Sequence, residues 1–327
     1  MSNFNIVRMT ESEYENFEKK LDFELPIWIK SKNMICYKEK EIIGVKEKEN
    51  IVAIYVLPIY RENNKVWIER TFRYFPYLSP VMLYKYNNLK KRAITYEIFK
   101  YVFEKYDLMY MPMHPTFKDI SSIQSLGAFV ECRHTHVTNK KINIDEMTSK
   151  LRNEIRNAKK QIEILIDRDI EKFRFDIAIR GNLDEQKNRT ANAIHLINSG
   201  QGVIISANQE GKICAGIIVV YDNEWAYLLH SWQNGELPRG TVICLILEAI
   251  NWVFENQKIK YFDLEGSVID NVDIFFSKFN FDILLYPYVH FGKKYGDFEN
   301  LINISKDIEG RKIHDLCGNR NEKGVEI

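Results

Sequence analysis

The sequence lacks paired cysteines, an excess of either charge, and any long apolar run. Its five cysteines, Cys36, Cys132, Cys214, Cys244 and Cys317, stand singly with no CxxC spacing, and an odd number leaves at least one unpaired. That usage fits a reducing compartment rather than a disulfide framework. With 46 Lys+Arg against 45 Asp+Glu, the net charge of +1 provides no general field for a polyanion. Bulk charge therefore argues against a dedicated DNA binder, and any nucleic-acid contact has to come from a local patch. No stretch of about 18 uninterrupted apolar residues offers a membrane-spanning helix, so integral membrane contact is not expected. The first residues carry no basic-then-apolar signal, and a cytoplasmic protein is expected. Also missing are a Gly-x-Ser-x-Gly nucleophile elbow, a Gly-x4-Gly-Lys-Ser/Thr phosphate loop and a His-Glu-x-x-His zinc pair, which removes three large classes of enzyme.

What is present is material for a core: 327 residues, 45% hydrophobic and 13% aromatic. At about 150 residues per domain this suggests two domains, or one unit built twice. The order of elements favours the second. In the first half, strand-like Ile51–Tyr60 and Lys65–Glu69 flank a turn at Asn63-Asn64. A helix over Leu89–Tyr106, a buried strand over Asp107–Met113, a short helix near Phe117–Leu126 and a strand over Ala128–Val137 follow. The second half repeats the grammar: Lys212–Tyr221, a turn at Asp222-Asn223, Glu224–His230, a helix over Thr241–Asn256, Tyr261–Leu264, a helix near Val272–Phe279, and Asp282–Phe291. Identity between the halves is slight, so the repeat rests on element order. The expected fold is α/β (α+β): two similar domains, each a mixed, mostly antiparallel sheet flanked by helices, over residues 1–143 and 144–305.

The second unit opens on a basic amphipathic helix, residues 144–164. Leu151, Ile155 and Ala158 fall on one face, among Lys150, Arg152, Arg156, Lys159 and Lys160. A charge run of this kind is usually a solvated face. Its place at the junction of two similar units makes Arg152, Arg156 and Lys159 candidates for an acidic ligand in the cleft between them. Residues 306–327 have no apolar period and read as a loosely ordered tail.

The Arg/Lys-rich segment Leu151–Lys160, the run Tyr261-Phe-Asp-Leu-Glu-Gly-Ser-Val268 ahead of Ile274–Phe279, and Val203–Gly216 together resemble the GNAT-like acyltransferases of the Fem type. The resemblance spans about Ile51 to Phe291. It implies tandem GNAT domains and acyl transfer to an amine, from acyl-CoA in some members and from aminoacyl-tRNA in the peptidoglycan-bridge members. It also implies direct attack without a covalent enzyme intermediate. Two departures matter. A GNAT pyrophosphate loop reads Gln/Arg-x-x-Gly-x-Gly/Ala, whereas the matching stretch is Leu237-Pro-Arg-Gly-Thr-Val242, with only Gly240 in register. And no heptad run between Gly202 and Phe291 supplies a coiled-coil arm for tRNA.

Acyl transfer from a thioester needs a neutral amine, donors for the developing oxyanion, and a proton for the thiolate. Glu265, at the end of a buried strand, is the expected base, with capping of the next helix as the bland alternative. His230 ends the strand before the phosphate loop and could take the amine proton, although a lone His on an apolar strand is more often a core residue. Ser267 lies where the backbone turns. Arg239, Gly240 and Thr241 at a helix start are the expected acyl-CoA site, whether the acyl group is acetyl or longer. Overlaying the halves matches His114 to Ser267, making His114 a candidate in the acceptor site. Tyr77 and Arg73, in the aromatic loop Phe72–Ser79, suit a nucleotide or sugar diphosphate.

The expected function is an N-acyltransferase passing an acyl group to a nucleotide-linked amino sugar for a surface polysaccharide. The alternatives are an aminoacyl-tRNA-dependent transferase acting on a peptidoglycan precursor, where tRNA would be a partner, and a non-catalytic tandem-GNAT binding module. No metal is expected: His134-Thr-His136 places two imidazoles on one strand face, as a metal site could, but no Cys or carboxylate is placed nearby with convincing spacing.

Overall fold

The computed structural model describes residues 4–62, 65–69, 75–179, 183–266 and 270–293. The expected turn at Asn63-Asn64 and the tail from 306 lie outside the described residues. The first half runs β1 (Phe4–Met9), α1 (Glu11–Glu18), β2 (Lys40–Glu47), β3 (Asn50–Glu62), β4 (Lys65–Glu69), β5 (Val81–Met82), α2 (Asn88–Lys105), β6 (Leu108–Pro112), α3 (Ile120–Gln124) and β7 (Phe129–Thr138). The second runs α4 (Ser149–Lys159), β8 (Glu163–Asp167), α5 (Phe175–Ala178), α6 (Leu183–Asn198), β9 (Gly202–Gln209), β10 (Lys212–Tyr221), β11 (Trp225–Gln233), α7 (Thr241–Asn256), β12 (Tyr261–Asp263), α8 (Asp270–Ser277) and β13 (Asp282–Gly292). The fold is mixed α/β, and among the described residues no helix is long and apolar enough to cross a membrane.

The strands form one continuous sheet in the order β1-β2-β3-β4-β6-β13-β7-β12-β11-β10-β9-β8, with β5 against β3. From either end the order is the same, and the halves meet at the antiparallel pair β7–β13. They also exchange strands: β13, from the second half, pairs with β6 of the first, and β7 pairs with β12 of the second. Two of the neighbour pairs are parallel, β4–β6 and β11–β12. A parallel pair needs a long crossover, which α2 provides in one half and α7 in the other. The parallel registers begin at Trp67↔Leu108 and Trp225↔Tyr261, so the repeat extends to residue register.

The strands β9, β10 and β11 are largely buried on both faces, which is why they read as apolar runs. Ile204, Ile218, Val220 and Tyr227 join a core shared with the first half, while Val203, Ile205, Ile217 and Val219 pack on the opposite face with α4 and α7. The junction helix is shorter than 144–164: α4 covers Ser149–Lys159, capped by Thr148. Beyond it Ile164-Leu165-Ile166 form β8 on β9, because this β-branched run gains more as an edge strand than as a helical turn.

The loop before α7 turns on Gly240, whose φ of 93° is left-handed. A Cβ there would stand 2.9 Å from the backbone C and O of Glu154 in α4. Gly240→Ala is therefore expected to cost about 2 kcal/mol from the left-handed backbone alone, with a further loss from pushing α4 away. Thermal unfolding checks this; an unchanged melting temperature would refute it.

Candidate functional site

A cavity of about 780 Å³ opens at the seam, lined by Trp28, Ser79 and His114 from the first half and Asp222 to Trp225 of the β10–β11 turn from the second. One wall is aromatic. His114 stacks on Trp28 with ring centroids 4.9 Å apart and meets Trp225 edge-on at 4.6 Å. Its Nδ1 accepts the backbone N–H of Thr116 at 3.2 Å, which leaves the proton on Nε2, facing the Tyr227 hydroxyl at 3.2 Å. Burial, with Lys118 nearby, pushes the imidazole pKa down to about 3. His114 is thus a neutral, buried ring with both nitrogens engaged and its face packed on Trp28, not a proton acceptor.

Charged groups of both signs make up the rest of the lining, the carboxylates being Glu24, Asp119, Asp222 and Glu224. The cations Lys85, Lys91, Arg92 and Lys118 stand at the start of α2 and the loop after β6, and among the described residues no ion pair engages them. Asp222 is committed to the turn, accepting backbone N–H groups of Ile27 at 3.1 Å and of Glu224 and Trp225 at 2.9 Å each. Burial raises its pKa, against those bonds and Lys30. Lys30, also buried, pairs with Glu24, and burial lowers its ammonium to about 8.

Behind the aromatic wall the halves are riveted by Asp263. It is fully buried and accepts from the Tyr77 hydroxyl at 2.9 Å, from the Thr135 hydroxyl and from the Glu265 backbone N–H at 2.7 Å. Burial pushes its carboxyl up to about 6, against these three bonds.

In the second half, β12 pairs with β11 only as far as Tyr227, so β11 from Leu228 to Gln233 has β10 alone as its partner. In this stretch Ile218 pairs with His230 and Val219 with Leu228, leaving Leu229 as a bulge. A bulge bends a strand and takes the extra residue out of the ladder. The start of α7 lies a short loop further on. There the Thr241 N–H and hydroxyl both bond the Pro238 carbonyl, at 3.1 and 2.8 Å. Cys244 N–H is the first to find its intrahelical acceptor, on Gly240, so Val242 and Ile243 carry the first-turn donors.

Of the residues singled out in the sequence, His114 lines the cavity and Tyr77 stands behind it, edge-on to His114 at 5.2 Å. Glu265 follows Asp263 at a left-handed φ of 60° and is half-buried. His230 is buried beside the bulge. Arg239, Gly240 and Thr241 form the approach to α7. The cations of α4 lie elsewhere: Arg152 bonds the carbonyls of Asp145 and Met147, Arg156 is 4.0 Å from Asp145, and Lys159 is 3.8 Å from Glu248 of α7. None of the three lines the cavity. Arg73 and Ser267 lie outside the described residues. A carboxylate reaches His134 and His136 from Asp273 of α8.

Sequence reasoning missed Trp28, Trp225 and the cavity cations. Lys90-Lys91-Arg92 is a visible basic run, but nothing local distinguishes it from a solvated helix start. Trp28 and Trp225 come together only through the seam.

No protein-family model matches the sequence, and no curated protein matches it. Among solved structures, FemX superposes with a TM-score of 0.61 at 11% identity, covering 91% of this chain and 99% of that one. L-PGS from Bacillus licheniformis gives 0.57 at 12% identity over 93% and 98%. A tandem GNAT protein from the clavulanic acid biosynthesis pathway gives 0.53 at 8% over 88% and 98%. At these identities likeness speaks for architecture, and with the repeated element order and the two crossover helices it establishes that this chain has the Fem-type tandem-GNAT fold.

Proposed function

We propose that the protein is an N-acyltransferase that passes an acyl group to the amine of a nucleotide-linked amino sugar held in the seam cavity. The observation that carries this reading is the pairing of an aromatic wall, Trp28–His114–Trp225, with four cations that no ion pair engages among the described residues, across a cavity of about 780 Å³. A base stacks on aromatic faces, and a diphosphate needs cations placed where protein carboxylates do not already neutralise them. The cavity cations take the part expected of Arg152, Arg156 and Lys159.

The donor, an acyl-CoA, would lie along the open edge of β11. Its pyrophosphate would meet Arg239 and the free N–H groups of Val242 and Ile243, a helix start of the kind that holds phosphate. The bulge at Leu229 would offer a backbone N–H to the acyl oxygen, where a donor is worth most as charge develops. Glu265 is the proposed base for the amine and His230 the second candidate. Attack by the neutral amine forms the C–N bond, the C–S bond breaks, and the thiolate takes the proton the amine gives up.

A second reading has the aminoacyl group arriving on tRNA for a peptidoglycan precursor. It is favoured by the likeness to FemX and L-PGS, which superpose more closely than the tandem GNAT protein. Thiol release separates the two. With acyl-CoA and a nucleotide amino sugar the first reading expects one free CoA per acylated product. No CoA release with any thioester, together with acylation from aminoacyl-tRNA, would replace it by the second. Glu265→Gln is expected to lower kcat about 100-fold, the usual weight of a general base; unchanged kcat in both Glu265→Gln and His230→Ala would favour a non-catalytic module.

A further inference from the structure

The side-chain cluster on the outer face of β7 is independent of the acyl-transfer reading. Strand alternation sends Thr135 inward to Asp263, and His134 and His136 to the opposite face, where α8 crosses. Asp273 of α8 brings one carboxylate oxygen, Oδ1, to 2.8 Å from Nε2 of His134 and 2.8 Å from Nε2 of His136. The two rings are 5.7 Å apart and steeply inclined, at 78°, so both Nε2 atoms converge on one point. All three donor atoms lie within 4.8 Å of one another.

We propose that His134, His136 and Asp273 bind a divalent transition-metal ion of the zinc class, with its remaining position open to solvent. Two imidazole nitrogens and one carboxylate oxygen are a donor set that zinc accepts without geometric demand. Zn–N and Zn–O bonds of about 2.0–2.2 Å put tetrahedral donors about 3.3 Å apart, so the 2.8 Å contacts have to open by roughly half an ångström. Side-chain rotation allows that, because His134 and Asp273 are 38% and 31% exposed, while His136, at 3%, is the fixed ligand. The same exposure gives the ion its entry and a water its place. Each imidazole presents a lone pair once its Nε2 proton moves to Nδ1 or leaves, and the carboxylate brings the negative charge. The bound ion would tie α8 to β7.

The test uses the full-length, tag-free protein, stripped with chelator, dialysed and titrated with Zn²⁺ alone. The expected result is one zinc per chain by calorimetry and by metal analysis after dialysis. The melting temperature should rise by about 5 °C when free metal is a hundred times Kd. Co²⁺ should give the visible absorption of a tetrahedral N/O site without a thiolate band, which excludes the cysteines as ligands. His134→Ala should weaken binding at least about 100-fold, more than the loss of an outer hydrogen-bond partner does. Asp273→Asn retains hydrogen-bonding capacity towards both rings, so its metal-free protein should melt like wild type while zinc affinity falls similarly. Absence of a stoichiometric zinc, or an unchanged zinc affinity and cobalt spectrum in Asp273→Asn, would overturn the proposal.

Discussion

Asp263→Ala is expected to destabilise the protein by at least about 3 kcal/mol and to lower its melting temperature by about 5 °C or more. The substitution leaves the Tyr77 hydroxyl, the Thr135 hydroxyl and the Glu265 N–H without their acceptor in a fully buried seam, and each orphaned group costs about 1–3 kcal/mol. Asp263→Asn separates bonding from charge. Its Oδ1 still accepts from Thr135 and Glu265, and Tyr77 can turn its hydroxyl to accept from the new amide, so stability at pH 7 should stay within about 1 kcal/mol of wild type.

The two substitutions also differ in pH dependence. The folded carboxyl titrates at about 6 against an ordinary 3.8, raised by burial, so the folded state holds this proton more tightly than the unfolded chain does. The stability it contributes is complete below about pH 4 and is lost as pH rises through about 6, about 3 kcal/mol in all. Denaturant titrations at pH 4.5 and 7 should show about 2 kcal/mol of this loss in wild type and not in Asp263→Asn. An equal pH response in both, or an Asp263→Ala variant as stable as wild type, would refute the assignment.

Reversing Lys91 and Arg92 together to Glu is expected to raise KM for a nucleotide-linked acceptor about 100-fold while leaving the melting temperature unchanged. Both side chains are exposed at the cavity wall, and a hydrogen bond to a charged group is worth about 1.5–3 kcal/mol. Losing two costs about 3 kcal/mol, two decades in affinity. The acceptor's amine alone, without its nucleotide, should be used equally well by both proteins. An unchanged KM for the nucleotide-linked compound would remove the diphosphate from this wall.

Much of the fold was legible because its signals are local. The α7 span Thr241–Asn256 is one long apolar period, and β10 is a β-branched run closed by Asp222-Asn223. Both carry their periodicity and stop signals within a few residues. The end of α4 was not legible, because whether residues 163–167 continue a helix or add a strand depends on the β9 edge waiting for them. Of the site, His114 was found from its equivalence in the repeat, whereas Trp28 and Trp225 are 197 positions apart and share a wall only after folding. Asp273 escaped in the same way, lying 137 residues beyond His136.

The sequence by itself determined that the chain is one α/β unit used twice, since periodicity and turn chemistry are written residue by residue. Tertiary structure alone decided that the halves exchange their last strands, that Asp263 joins them, and which cations face the cavity. Those outcomes depend on contacts between segments more than a hundred residues apart, where burial and hydrogen-bond satisfaction select among pairings that local propensity leaves equal.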